Sequence, residues 1–92
     1  MALMMVEISD GPREGFKTVG VPSFQGHTEY LSIEERFLAK RGDDLLLPVR
    51  VVGFDRKQKV YLIQLPLEAD SGANRVWVRE ALLRERPDEV PA

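Results

Sequence analysis

Leu45-Leu46-Leu47-Pro48-Val49-Arg50-Val51-Val52-Gly53-Phe54 is the stretch on which the fold of this chain turns. It is dense in apolar and β-branched side chains, which suit a pleated, half-buried surface. A polar turn, Asp55-Arg56-Lys57-Gln58, follows, and then a second run, Lys59 to Leu65, carries Val60, Tyr61, Leu62 and Ile63. Two such runs across a short polar turn predict an antiparallel hairpin. Pro48 has no N–H to give to a ladder, which places the first run at an edge or a bulge. Its apolar residues fall on both faces, with Leu45, Leu47, Val49 and Val51 against Leu46, Val52 and Phe54. A small barrel needs one apolar face, so the surplus face is expected to meet a second copy or a partner, with Leu46, Val52 and Phe54 near the contact. The alternative cover is the pair of helical turns expected at Phe37-Leu38 and Leu82-Leu83.

Upstream, Met4 to Ser9 alternates with period two, and Asp10-Gly11-Pro12 through Gly15 is a turn by composition. Phe16 to Val21 is a second strand, Pro22 to Gly26 a hairpin tip, His27 to Ile33 its return, and Glu34 to Leu38 a helical turn. Downstream, Leu67 to Asn74 is a loop, Arg75 to Val78 a short strand, and Arg79 to Arg86 one or two helical turns. Residues 1–86 are expected to form a single small β-barrel domain, and 87–92, polar and broken by two prolines, a disordered C-terminal tail. The expected core is Val51, Leu62, Ile63, Val76 and either Trp77 or Val78.

The two halves echo each other. Val19-Gly20-Val21, Tyr30-Leu31 and Ile33-Glu34-Glu35-Arg36-Phe37-Leu38 run parallel to Val52-Gly53-Phe54, Tyr61-Leu62 and Val78-Arg79-Glu80-Ala81-Leu82-Leu83. The second series carries an extra loop, Pro66 to Asn74. Either the unit is repeated or two amphipathic hairpins resemble each other by chance.

Short strands, tight polar turns and no long helix make the chain mainly all-β, a small, bent antiparallel barrel of five to six strands with one or two helical turns. Val6-Glu7-Ile8-Ser9-Asp10-Gly11-Pro12-Arg13-Glu14-Gly15 resembles the start of a KOW motif, in which a strand runs into Gly-Pro and a second glycine stands three residues after the proline. The resemblance implies an SH3-like barrel and, through the family, RNA or protein binding. It covers little more than the first twenty residues and departs from the pattern at Thr18, where the motif continues with glycine.

The 92 residues hold 13 Lys plus Arg against 15 Asp plus Glu, a net charge of −2, and no cysteine. Disulfides, thiolate catalysis and Cys-ligated zinc are therefore excluded. A near-neutral balance is unlike that of a strongly basic nucleic-acid binder. No apolar run approaches the roughly 20 residues of a bilayer span, and Met1 to Ile8 lacks the basic region and apolar core of a signal peptide. A cytoplasmic protein with no membrane partner is expected.

His27 is the sole histidine. Ser23, Thr28 and Glu29 surround it in sequence without a nucleophile elbow, so a non-enzymatic role is expected. Glu68, Asp70, Ser71 and Asn74 offer oxygens in one loop but not at calcium-loop spacing. Gly11, Gly15 and Gly20 do not lead into a phosphate-cradling helix. No metal and no cofactor are expected. The expected function is binding of a protein partner or a second copy, through Phe24 at a hairpin tip, Leu46, Val52, Phe54 and Trp77. Trp77 faces away from Val76 and Val78, so it is either the core anchor or an outward binding anchor. The alternative function is RNA or single-stranded nucleic-acid binding, with Arg56, Lys57 and Lys59 in the second hairpin turn and Arg75 beside Trp77 forming a positive stripe next to an aromatic ring. The same cations also serve solubility and protect sheet edges.

Overall fold

The structure is a computed structural model that describes residues 1–85; the expected tail, 87–92, lies outside the described residues. Its chain is mainly β, 57% strand and 7% helical, and every ladder is antiparallel. Nine strands form among the described residues rather than five or six: β1 (Ala2–Met4), β2 (Glu7–Asp10), β3 (Phe16–Pro22), β4 (Thr28–Glu34), β5 (Ala39–Arg41), β6 (Asp44–Asp55), β7 (Val60–Gln64), β8 (Arg75–Arg79) and β9 (Leu83–Glu85). Single 3-10 turns, Glu35–Phe37 and Glu80–Leu82, precede β5 and β9. The second of these is shorter than the expected Arg79 to Arg86, because Leu83 to Glu85 is drawn into a ladder with β1. Likewise Met4 to Ser9 is not one strand: it breaks at Met5 and Val6 between β1 and β2.

Strands β2-β3-β4 form one sheet, and β8-β7-β6-β1-β9 with β5 beside β6 form the other. The order strand, hairpin, strand, 3-10 turn, closing strand occurs twice. Ile33 to Leu38 and Val78 to Leu83 occupy matching places in it, as the sequence echo predicts. The hairpins match in a different register from that echo. Phe16 faces Glu34 and Val60 faces Arg79, each opposite the residue before a 3-10 turn, so β3 corresponds to β7 and not to β6. Val19 then corresponds to Ile63, Val21 to Leu65, Leu31 to Val76, Ile33 to Val78 and Leu38 to Leu83, and all ten are buried in one cluster. The residue just before β3 and the one just before β7 both have positive φ, 85° at Gly15 and 56° at Lys59.

The halves exchange their closing strands. β5 ends the first half but pairs with β6 of the second, and β9 ends the second half but pairs with β1 of the first. Between them β1 and β6 pair with each other, Met4 opposite Leu47. These are equivalent positions, and equivalent residues facing each other across an antiparallel ladder are what a local two-fold relation produces. Both side chains are fully buried.

The apolar pattern of Leu45 to Phe54 has a local cause. Val51 pairs with Ile63 and Gly53 with Leu62, so Val52 is the extra residue of a β-bulge. A bulge reverses the parity of a strand. Leu45, Leu47, Val49, Val51 and, beyond the bulge, Phe54 all pack on the one core. The surplus face expected from strict alternation is therefore reduced to Leu46, 4% exposed, and Val52, 39% exposed. The premise for pairing copies through β6 falls with it.

Of the expected core, Ile63, Val76 and Val78 are buried, whereas Val51 is only partly buried and packs against the cluster. Leu62 is half-buried and pairs with Trp77 on the outer face of the second sheet. Val78, not Trp77, is the core residue of that pair.

Candidate interaction groove

Most large apolar side chains of this chain are inside. The exceptions among the described residues include Met1, 80% exposed, Phe37, 54%, and Leu67, 49%. These three converge. With Phe16, Pro48 and Pro66 they wall a groove of about 520 Å³ whose remaining lining is Ser32, Ile33 and Glu34 of β4. Each wall has its own origin: Phe16 begins β3, Phe37 ends the first 3-10 turn, Met1 precedes β1, Pro48 lies in β6 opposite Leu3, and Pro66 and Leu67 belong to the β7–β8 loop. Past Met1, Pro48 and Pro66 the groove continues as a second hollow of about 240 Å³ bounded by Arg50 and Gln64.

Gly11 fixes Phe16. The Gly11 N–H donates to the Phe16 carbonyl at 3.1 Å, and a Cβ on Gly11 would lie 2.5 Å from the Phe16 carbonyl carbon and oxygen. Those atoms are backbone and cannot swing aside. Gly11→Ala is expected to lower stability by roughly 1–3 kcal/mol, as overpacking does, read as a drop in denaturation midpoint. An unchanged midpoint would mean that the turn relaxes freely.

Guanidinium groups edge both aromatic walls. The Arg13 guanidinium carbon lies 4.4 Å from the Phe16 ring centre, and that of Arg36 lies 4.7 Å from the Phe37 ring centre. Arg36 also donates to Glu34 at 2.6 Å, which balances the carboxylate in the lining. Arg50 is exposed, and its side chain has no hydrogen-bond or ion-pair partner among the described residues.

The loop that supplies Pro66 and Leu67 is tied across to β4. The Asp70 N–H donates to the Tyr30 carbonyl at 2.8 Å, and the Ser71 hydroxyl donates to the Glu29 carboxylate at 2.5 Å. The Ser71 bond, above all, holds the Glu29 carboxyl below its usual 4.5; burial opposes this, and His27, 2.9 Å away, adds a bond and a favourable charge. A lowered folded value means that the contribution is complete above about pH 4.5 and is lost as pH falls through the folded value. Ser71→Ala is therefore expected to reduce stability at pH 7, with the difference from the parent vanishing in acid. Urea midpoints across that range check it, and a difference independent of pH would contradict it.

The sequence-derived protein-binding residues do not gather here. None of Phe24, Leu46, Val52, Phe54 and Trp77 lines the groove. Phe24 is half-buried where its hairpin tip meets the second half: its N–H donates to the Trp77 carbonyl at 2.7 Å and Arg79 stacks 5.1 Å from its ring. Phe54 lies against Tyr61, ring centres 4.6 Å apart. Of the cations, Arg56, Lys57 and Lys59 share the β6–β7 turn, but Arg75 stands opposite Gln64 at the far end of β8, and it is Arg79, opposite Val60, that adjoins the turn. The Ser23 hydroxyl binds Gln25 rather than His27, and among the described residues no three acidic or histidine side chains gather as a metal site.

Sequence reasoning missed the groove because its walls come from separate segments. The usable signal was an exposed phenylalanine and leucine in a turn and a loop, positions where large apolar groups have little local reason to be. No protein-family model, curated protein or solved structure matches this chain.

Proposed function

We propose that this chain is a non-enzymatic interaction module built from two interlaced SH3-like halves, and that it binds a protein partner in the groove between them. The carrying observation is the convergence of Met1, Phe37 and Leu67, all exposed, on a single concave surface. Large apolar groups collected in a concavity are what a docking partner removes from water, at about 25 cal/mol per Å². The test is affinity selection from a display library of short random peptides on two baits, the parent and Phe37→Glu/Leu67→Glu. Both positions are exposed, so the double variant should keep its circular dichroism spectrum. Enrichment on the parent alone supports the groove; equal enrichment, or none, overturns it.

A second reading rests on the outer face of β8, where Arg75, Trp77 and Arg79 alternate on one side and Lys59 follows beyond Arg79. That row suits a single-stranded nucleic acid, with phosphates on the cations and a base on the indole. A salt titration with a single-stranded oligonucleotide tests it, since phosphate contacts impose a steep slope.

A further inference from the structure

Resting on the reading of the groove as a protein-binding site, we infer that its occupant is an extended segment of a partner protein that adds to β4 as a further strand, carrying apolar side chains at alternate positions and a carboxylate that reaches Arg50.

The strand edge is the first support. β4 is the outer strand of its sheet. The Tyr30 carbonyl accepts from Asp70 and so points away from β3. At the other end, the Phe16 N–H and carbonyl are taken by Arg13 and Gly11, so Glu34, its partner in register, is not bonded to it. Orientation alternates along an antiparallel ladder, so the N–H and carbonyl of Ser32, midway between, face outward as well. Among the described residues neither has a partner. Ser32 and Glu34, with Ile33 between them, are also the part of β4 that lines the groove. An apolar hollow thus has an unpaired strand edge as one wall, the arrangement used in strand addition.

The internal repeat sharpens this. In the second half the residue equivalent to Ser32 is Trp77, and its carbonyl is capped by Phe24 from the opposite hairpin tip. In the first half the capping loop, Leu65 to Asn74, lands on Tyr30 instead, two residues earlier, and leaves Ser32 open. An unprotected edge invites a foreign strand. Here it is confined to one or two residues and walled by Phe16, Phe37 and Leu67, which selects for alternating apolar side chains.

Charge sets the remaining requirement. The Glu34 carboxylate in the lining is matched by Arg36, which leaves Arg13 and, beyond Pro48 and Pro66, Arg50 as the cations of the rim. A cationic rim around an apolar centre favours an acidic over a basic partner, and a guanidinium pairs with a carboxylate in a fixed bidentate geometry.

Peptides recovered by the selection above are resynthesised with single backbone N-methyl groups and titrated against the parent, Ser32→Pro and Arg50→Glu. Strand addition predicts apolar residues at every second position with Asp or Glu to one side. Affinity should fall about tenfold or more on methylating alternate residues and hardly at all on methylating those between. Ser32→Pro keeps the β3–β4 ladder, because that N–H faces away from β3, yet should abolish binding. Arg50→Glu should exchange the acidic preference for a basic one. Groove-dependent peptides with proline every third residue, or indifferent to N-methylation, would overturn strand addition while leaving the binding site standing. An absence of groove-dependent peptides would overturn both. A dimer in light scattering that Phe37→Glu/Leu67→Glu dissolves would replace the partner with a second copy.

Discussion

Leu47→Ala is expected to cost roughly 2–5 kcal/mol and to weaken both halves of the molecule together. Its side chain is fully buried opposite Met4, in the ladder joining β1 to β6. Truncation removes three carbon atoms from a site that cannot collapse, because β5 and β9 hold the flanks of that ladder. A domain of this size is stable by something like 5–15 kcal/mol, so the loss is a large fraction of the whole. The interlacing adds a second expectation. Since each half is closed by a strand lodged against the other, neither half keeps its closing strand once the two part. Trp77 fluorescence, which reports the second half, and amide exchange at Val19 and Leu31, which reports the first, should shift to the same new midpoint. Separate midpoints would show that the halves are independent folding units and that the exchanged strands contribute little.

The hairpins were legible in the sequence because both their strands lie close along the chain and alternate. Phe16 to Val21 against His27 to Ile33, and Leu45 to Phe54 against Lys59 to Leu65, needed only period two and a polar turn between. The helical turn at Glu34 to Leu38 was legible too. Ala39-Lys40-Arg41 and Leu83-Arg84-Glu85 were not. Three residues carry no periodicity, and the charges in both suit a surface turn as well as a strand; each is a strand only because an unpaired edge of the other half lies beside it.

The misread face of Leu45 to Phe54 has the same character. A bulge costs one residue and leaves no composition signal, yet it turns every later side chain over. The glycine beside the bulge is its one local trace, since Gly53 offers no side chain to pack and a Cβ there would press on Leu62 at 3.3 Å. The groove was the least legible part. Its walls are residues 1, 16, 37, 48, 66 and 67, which only the completed topology brings together. Pro48 suggests an edge or a bulge, yet it lies inside β6, an inner strand, opposite Leu3, and the bulge falls at Val52; its place beside Met1 in the groove follows from β1 pairing with β6, which nothing local announces.

Ile63→Ala and Leu62→Ala, neighbours in β7, are expected to differ several-fold in cost, and the difference tests which face of the second hairpin is the core. Ile63 is fully buried and corresponds to Val19 of the first half, so its truncation should cost roughly 2–5 kcal/mol. Leu62 points the other way. It pairs with Trp77 across the ladder, is half-buried, and also limits the space over Gly53. Its truncation removes part of one cross-strand contact and should cost about 1 kcal/mol. The two variants should also separate spectroscopically. Leu62→Ala exposes one side of the indole and should shift Trp77 emission in the folded state, whereas Ile63→Ala should leave emission nearly unchanged while lowering the midpoint. If Leu62→Ala proved as costly as Ile63→Ala, the parity of β7 would be reversed, and the outer row of Arg75, Trp77 and Arg79 would have to turn inward with it. The buried positions of Val76 and Val78 oppose that: both flank Trp77 on β8, and both are in the core.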